Sequence, residues 1–253
     1  MDHKTNVHED CIGDVDGVGN LMNFAKVLTG GVAAWLEFER ACDRRGLFSE
    51  KYMTSAVGQI LAARTGNRVE AEFTHTVLAP LKKGPGRRPH VDFVVRDKSG
   101  KIVLAVESKW AGRTTPSTKE ILWDLVRLEL IAHHENARCI FLLAGTGAKL
   151  KKIFDDPAFS DSETSPHRRP LLRHDKNVIH TIPLVPLVPV RFKMLKSLFR
   201  PYRDFKFAEW VTTLRTAPRP EVVKPRDYQV FAWEVMPKVH RTEFRPDRSK
   251  FFA

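Results

Sequence analysis

Apolar residues recur every three or four positions in the first part of the chain, which is the spacing of an amphipathic helix. Residues 21–45 show this pattern and predict a helix that is ended by Gly46. The same spacing over residues 49–64 predicts a second helix, with Ser49 as its N-cap and Gly66 at its end.

Alternation of apolar and polar residues then predicts three strands. Residues 69–73 alternate as in a half-buried strand, and residues 90–95 and 102–110 are two further runs of strand character. The turn residues 97–100 between these two runs are typical of a β-hairpin.

A helix and a buried strand follow the hairpin. Residues 117–133 carry apolar side chains along one helical face, and residues 139–143 are continuously apolar, as in a strand buried on both faces. Residues 148–154 predict another helix. This order of elements predicts an α/β fold with a central mixed β-sheet flanked by helices on both faces.

The C-terminal part has a less regular pattern. Residues 156–180 are polar and basic, as in a loop, and residues 182–192 have a proline at every third position, which allows only an edge strand. We predict a helix over residues 205–215 and a strand over residues 228–235.

These patterns divide the chain into three parts. Residues 1–20 hold five acidic residues against one lysine, together with glycines, which predicts a flexible acidic arm. Residues 21–155 form the predicted α/β core. Residues 156–253 form a C-terminal extension that we expect to pack on this core.

The chain as a whole is strongly basic, with 42 Lys and Arg residues against 30 Asp and Glu residues and a net charge of +12. This charge predicts a polyanionic partner, of which nucleic acid is the simplest, although a basic solvated surface would give the same composition. The three cysteines are too few and too scattered for a disulfide framework and fit a reducing compartment.

No segment of the sequence has the character of a membrane anchor. The most apolar run, residues 182–190, contains three prolines and is far shorter than the ~20 residues of a spanning helix. The first residues are polar and lack the apolar stretch of a signal peptide. We therefore expect no membrane partner and a cytoplasmic location.

The predicted hairpin brings three chemically informative residues together. Glu107 and Lys109 are two positions apart on the second strand and therefore share a face. Asp92 lies near the start of the first strand, which is beside the end of the second in an antiparallel hairpin. Two adjacent carboxylates repel each other unless a cation pairs with them.

A divalent cation would remove that repulsion. Oxygen ligands suit Mg²⁺, and a water bound to it can attack a phosphodiester while Lys109 orients that water or neutralises charge in the transition state. The backbone carbonyl of Ser108 is a further candidate ligand. The simpler interpretation is a surface aspartate beside an exposed Glu–Lys pair worth at most ~1 kcal/mol. The apolar run before Glu107 favours the site.

The pattern of Asp92, fourteen intervening residues and Glu107-x-Lys109 resembles the PD-(D/E)XK nuclease superfamily, which has the restriction-endonuclease-like fold. The resemblance covers residues 47–145 and includes the shared order of helix, strand, hairpin, helix and strand. It implies that Asp92 and Glu107 bind Mg²⁺, for which Mn²⁺ can substitute, and that Lys109 is the catalytic lysine. In this chain Pro89 stands three residues before the aspartate, whereas the family proline usually precedes it directly.

The resemblance also directs attention to two helices. The superfamily often has an acidic residue in the helix before the first core strand, and Glu50 matches that place. Glu50 is either a metal ligand or an acidic residue favoured by the helix macrodipole. On the later helix, Asp124 and Arg127 are three residues apart and either pair with each other or line the site.

Positive charge near this constellation suggests a nucleic-acid surface, because cationic side chains bind phosphates without reading sequence. We predict six nucleic-acid-binding residues: Lys82, Lys83, Arg87, Arg88, Arg113 and Lys119. The leading hypothesis is a metal-dependent nuclease. DNA is favoured over RNA as its substrate, and the hypothesis allows a homodimer. The alternatives are a non-catalytic nucleic-acid-binding module on the same fold and a structural or partner-binding protein.

Overall fold

A seven-stranded mixed β-sheet with helices on both faces forms the protein. The computed structural model describes residues 22–82, 85–86, 88–162, 169–185, 189–218, 226–237 and 240–252. The predicted acidic arm, residues 1–20, lies outside these ranges.

The elements alternate between helix and strand through the first part of the chain and are mainly strands near its end. The helices are α1 (Phe24–Ala41), α2 (Glu50–Thr65), α3 (Thr118–Glu135), α4 (Gly147–Phe154) and α5 (Pro189–Phe199). The strands are β1 (Val69–Phe73), β2 (Val91–Arg96), β3 (Ile102–Ala111), β4 (Arg138–Thr146), β5 (Ile179–Pro183), β6 (Phe207–Ala208), β7 (Trp210–Leu214), β8 (Tyr228–Met236) and β9 (Glu243–Phe244). None of the helices in the described ranges is long and apolar enough to cross a membrane.

Local capping chemistry sets the bounds of α2 and α3. The Ser49 hydroxyl accepts the backbone N–H of Tyr52 at 3.2 Å, and Gly66 ends α2 in the left-handed conformation, with φ of 60°. Ser117 and Glu120 form a reciprocal capping box at the start of α3. The observed helices α2 and α3 therefore confirm the two helices that the sequence predicts over residues 49–64 and 117–133.

The first helix ends earlier than its sequence pattern predicts. Asp43 adopts a left-handed conformation with φ of 55°, and the N–H of Arg44 donates to the carbonyl of Glu39 at 2.9 Å. This bond closes the last turn of α1 and ends it at Ala41. Gly46, the predicted terminator, instead lies in the following 3-10 turn, Arg45–Leu47.

The sheet has the strand order β1-β2-β3-β4-β8-β7-β5. Strands β2 and β3 form the predicted antiparallel hairpin, and α3 crosses over so that β4 lies parallel to β3. All other pairs in the sheet are antiparallel. The central position of β4 explains its continuous apolar run, because Ile140 and Leu142 face α1 and α2 while Phe141 and Leu143 face α3.

Two predictions for the C-terminal extension are wrong. The predicted helix over residues 205–215 is instead the strands β6 and β7, where Trp, Val and Thr favour extended backbone. The predicted edge strand over residues 182–192 is displaced: edge strand β5 ends at Pro183, and α5 begins at Pro189, because proline fits the first position of a helix. The extension contributes three strands to the same sheet, with β8 directly beside β4.

A glycine allows the close approach of β3 and β4, and its substitution is expected to destabilise the protein. A Cβ atom on Gly145 would lie 2.4 Å from the backbone oxygen of Ala111. We expect Gly145→Ala to lower the free energy of unfolding by about 1–3 kcal/mol, measured by urea denaturation. Gly30→Ala is the matched control, because no atom lies within 4 Å of a Cβ there. It should stabilise α1 by about 0.5–1 kcal/mol, and an equal response of both variants would contradict the packing argument.

Candidate active site

The C-terminal half of β3 lies between the first turn of α2 and the middle of α3. Lys109 on β3 reaches both helices, because its Nζ lies 3.0 Å from Glu50 Oε1 on α2 and 3.4 Å from Asp124 Oδ2 on α3. Glu107 shares the same face of β3, with its Oε1 3.9 Å from the same Nζ. Strand periodicity and the packing of two helices thus place three carboxylates around one ammonium group.

Glu107 is a buried carboxylate in an acidic environment. Its side chain is 5% exposed, and its Oε1 accepts a hydrogen bond from Arg127 Nη2 at 2.6 Å. Burial raises the pKa of Glu107 well above its ordinary value, and the nearby Asp124 and Asp92 carboxylates raise it further, although Arg127 opposes them. Burial and the neighbouring carboxylates thus both disfavour the charged form of Glu107, and a further cation at this point would favour it.

Lys109 is held in its charged form. Burial lowers the pKa of its ammonium group, but Asp124, Glu107 and Glu50 together raise it more, so the net pKa lies above the ordinary value of lysine. An ammonium group donates hydrogen bonds and accepts none. In this environment Lys109 can neutralise negative charge or orient an oxygen atom, but it cannot accept a proton from water.

Asp92 is positioned by Ser108, the residue that follows Glu107 on β3. Its Oδ2 accepts hydrogen bonds from the backbone N–H of Ser108 at 2.8 Å and from the Ser108 hydroxyl at 2.6 Å. The backbone N–H of Asp92 lies 3.4 Å from Glu107 Oε2. The Ser108 hydroxyl also contacts Thr54 Oγ1 on α2, at 3.3 Å. The hairpin therefore brings Asp92 to the same site as Glu107 and Lys109.

Asp124 and Arg127 both pair with each other and line the site. The Arg127 guanidinium donates to Asp124, to Glu107 and to the backbone carbonyl of His90. Asp124 is 3% exposed, and its Oδ2 accepts no hydrogen bond within the described part of the chain. The only sequence signal was their spacing of three on α3, because the contact with Glu107 depends on how α3 packs on β3.

Four of the six predicted nucleic-acid-binding residues are described by the structure, and all four are exposed. Lys82, Arg88 and Arg113 are exposed, on the segments before β2 and after β3. Lys119 is exposed at the start of α3 and donates from Nζ to the Ser197 hydroxyl on α5 at 3.0 Å. Two more of these predicted residues, Lys83 and Arg87, lie outside the described residues.

The donor set of the site suits a hard divalent cation. Asp92, Glu107, Asp124 and Glu50 offer carboxylate oxygens, and the buried Oδ2 of Asp124 accepts no hydrogen bond from the described residues, although the Lys109 ammonium group lies 3.4 Å from it. These residues would hold Mg²⁺. Arg127 already lies between Glu107 and Asp124, however, so a cation entering there would compete with its guanidinium.

A second cluster of side chains that could bind a metal is explained by hydrogen bonding instead. His75, His134 and Glu135 have ligand atoms within 4.8 Å of one another. Nδ1 of His75 accepts the backbone N–H of Val77 at 3.1 Å, so the proton of the neutral ring is on Nε2, which donates to Glu135 at 3.0 Å. This nitrogen has no free lone pair for a metal, and the group is a hydrogen-bonded link between the start of a 3-10 turn and the end of α3.

Comparison with known proteins identifies no relative. No protein-family model matches the chain, and neither the curated proteins nor the solved structures include a significant match.

Proposed function

We propose that this chain is a divalent-metal-dependent nuclease that hydrolyses phosphodiester bonds, with DNA as its substrate. The observation that carries the proposal is the buried Glu107 carboxylate, which lies beside Asp92 and within 3.9 Å of the Lys109 ammonium group at the end of a β-hairpin. Buried like charges are costly unless a cation pairs with them, and such sites are concentrated where chemistry occurs.

The order of elements around the site supports membership of the PD-(D/E)XK superfamily. The helix α2 precedes β1, the β2–β3 hairpin follows, and α3 then leads to β4, which is parallel to β3. This is the order that the sequence resemblance implies for a restriction-endonuclease-like core. The acidic Glu50 is in the first turn of α2, at the place where the superfamily often has a further carboxylate.

Each residue has a distinct role in the proposed reaction. Asp92 and Glu107 would hold the metal, Asp124 and Glu50 would add negative charge to the site, and Ser108 fixes the Asp92 carboxylate through two hydrogen bonds. Mg²⁺, when bound, supplies a Lewis acid and an acidic water molecule. Lys109 stabilises negative charge that develops on the phosphate, because its ammonium group is held at the site by carboxylates.

The second candidate function is nucleic-acid binding without catalysis on the same fold. The observation that favours it is Arg127, which already supplies a positive charge to Glu107 and Asp124. If that pairing persists, the acidic residues are structural and the basic surface alone is functional.

Loss of the Asp92 carboxylate is expected to abolish cleavage. Asp92→Asn keeps the shape of the side chain but removes its charge, and we expect the cleavage rate to fall at least about a hundredfold. The measurement is nicking of supercoiled plasmid and digestion of single-stranded DNA with Mg²⁺, with Mn²⁺ and with EDTA. Glu70→Gln is the control, because Glu70 lies on β1 and pairs with Arg96 of β2 near the surface. This variant should cleave like the wild type.

Two results would decide between the candidates. Equal cleavage by wild type and Asp92→Asn removes the proposed site, whatever nuclease activity the preparation shows. DNA binding that survives Glu107→Ala, with no metal-dependent cleavage by the wild type, instead supports the non-catalytic function.

A further inference from the structure

A concave basic surface that the sequence analysis did not identify lies beside α5. Lys196 in the last turn of α5 and the following Arg200 and Arg203 line a cavity of about 390 Å³, and Pro246 and Phe252 form its apolar walls. We refer to this surface as the α5 pocket. It has three cations and no acidic residue in its lining.

The two arginines of the pocket, Arg200 and Arg203, differ from the cations around them. Nearby cations each face a carboxylate: Arg241 pairs with Glu129, Arg245 with Asp247, and Lys206 with Glu243. In the described part of the chain no carboxylate pairs with Arg200 or Arg203, and both are exposed. The macrodipole of α5 favours cations at Lys196 and Arg200, but it does not account for Arg203, which lies beyond the helix end.

A packed aromatic cluster lies behind the Phe252 wall of the pocket. The ring of Phe252 lies 5.5 Å from that of Phe199 and 5.3 Å from that of Phe244. All three rings are buried, so the C-terminal segment is held against α5. The three cations are therefore presented on a fixed surface.

The pocket is connected to the candidate active site through α3. Tyr202, between Arg200 and Arg203, stacks on Trp123 of α3 with ring centroids 5.0 Å apart. Arg127, which contacts Glu107, is one helical turn further along α3, about 6 Å in axial rise. Both features therefore flank the same stretch of α3.

We propose that the α5 pocket binds backbone phosphates of the nucleic acid beside the segment that occupies the active site. Unpaired, exposed arginines on a fixed concave surface suit the oxygen atoms of phosphate groups, which accept two hydrogen bonds from one guanidinium. The inference rests on the proposed nucleic-acid substrate and specifies a second region where its backbone is held.

The test is binding of a fluorescein-labelled DNA oligonucleotide, measured by anisotropy in EDTA, where metal-dependent cleavage cannot occur. Arg200→Glu/Arg203→Glu should weaken binding at least about tenfold. It should also reduce the slope of log affinity against log salt concentration by about 1–2. Lys26→Glu/Arg64→Glu is the matched control, because it makes the same charge change on α1 and α2. It should weaken binding less than about threefold. Thermal melting checks that all variants are folded, and Arg203→Gln alone should give a smaller loss than the double variant.

Several results would overturn the inference. Equal weakening in the two double variants would show only an effect of net charge, and no weakening in either would show no contact. Unchanged oligonucleotide affinity, together with stabilisation of the wild type but not of the Arg200→Glu/Arg203→Glu variant by inorganic phosphate, would indicate a small-anion site. Because no cleavage is measured, failure here is separate from failure of the nuclease proposal, which the plasmid assay decides.

Discussion

Lys109→Met is expected to lower Mg²⁺-dependent DNA cleavage by at least about a hundredfold while DNA binding persists. Methionine retains much of the apolar stem but removes the ammonium group that lies near Glu50, Asp124 and Glu107. In the proposed reaction the phosphate would then lose the ammonium group that stabilises its developing charge. The measurement is the initial cleavage rate at saturating Mg²⁺, with anisotropy for binding.

The control for this variant comes from the same hairpin. Lys101 is exposed in the segment just before β3, and Lys101→Met changes the net charge equally without touching the site. We expect its cleavage rate to remain within about twofold of the wild type. Far-UV circular dichroism shows whether Lys109→Met is folded. A folded Lys109→Met protein that cleaves at the wild-type rate would remove Lys109 from the mechanism.

Arg127→Leu is expected to cause the largest loss of stability of any substitution considered. Its guanidinium pairs with two carboxylates that are each 5% exposed, Glu107 and Asp124, and removing it leaves them without their closest cation. Breaking a buried pair in this way costs about 3–5 kcal/mol. Urea denaturation in EDTA measures the change in the free energy of unfolding.

An exposed ion pair on α1 provides the comparison for the buried pairing of Arg127. Arg40 pairs with Glu37 on α1, both side chains are nearly half exposed, and Arg40→Leu should cost at most about 1 kcal/mol. The double variant Arg127→Leu/Asp124→Leu should recover part of the loss, because one uncompensated charge is removed. If Arg127→Leu does not fold, Arg127→Lys provides a milder test with a loss of the same sign. A loss below about 1 kcal/mol for Arg127→Leu would contradict the buried pairing.

Magnesium links this stability measurement to the proposed function. If the acidic residues bind a metal, Mg²⁺ should stabilise Arg127→Leu more than the wild type, because the cation no longer competes with the guanidinium. The non-catalytic candidate predicts no such difference. Urea denaturation of both proteins with and without Mg²⁺ therefore distinguishes the two functions without any cleavage assay.

The sequence by itself determined the elements whose causes are local. Ser49 and Gly66 bound α2, the capping box of Ser117 and Glu120 starts α3, and alternation with a polar turn specifies the β2–β3 hairpin. Each of these elements depends on residues that are close together in the chain, so each could be predicted from the sequence. The period of two along β3 also placed Glu107 and Lys109 on one face.

Only the tertiary structure decided how distant segments meet. The strand predicted over residues 228–235 is β8, but β7 was misassigned as helix because a short run such as residues 210–214 gains its strand character from pairing with β5 and β8. The contact of Arg127 with Glu107 depends on the packing of α3 against β3, and the α5 pocket depends on the C-terminal segment folding back onto Phe199. Such contacts join residues far apart in sequence, and no local pattern encodes them.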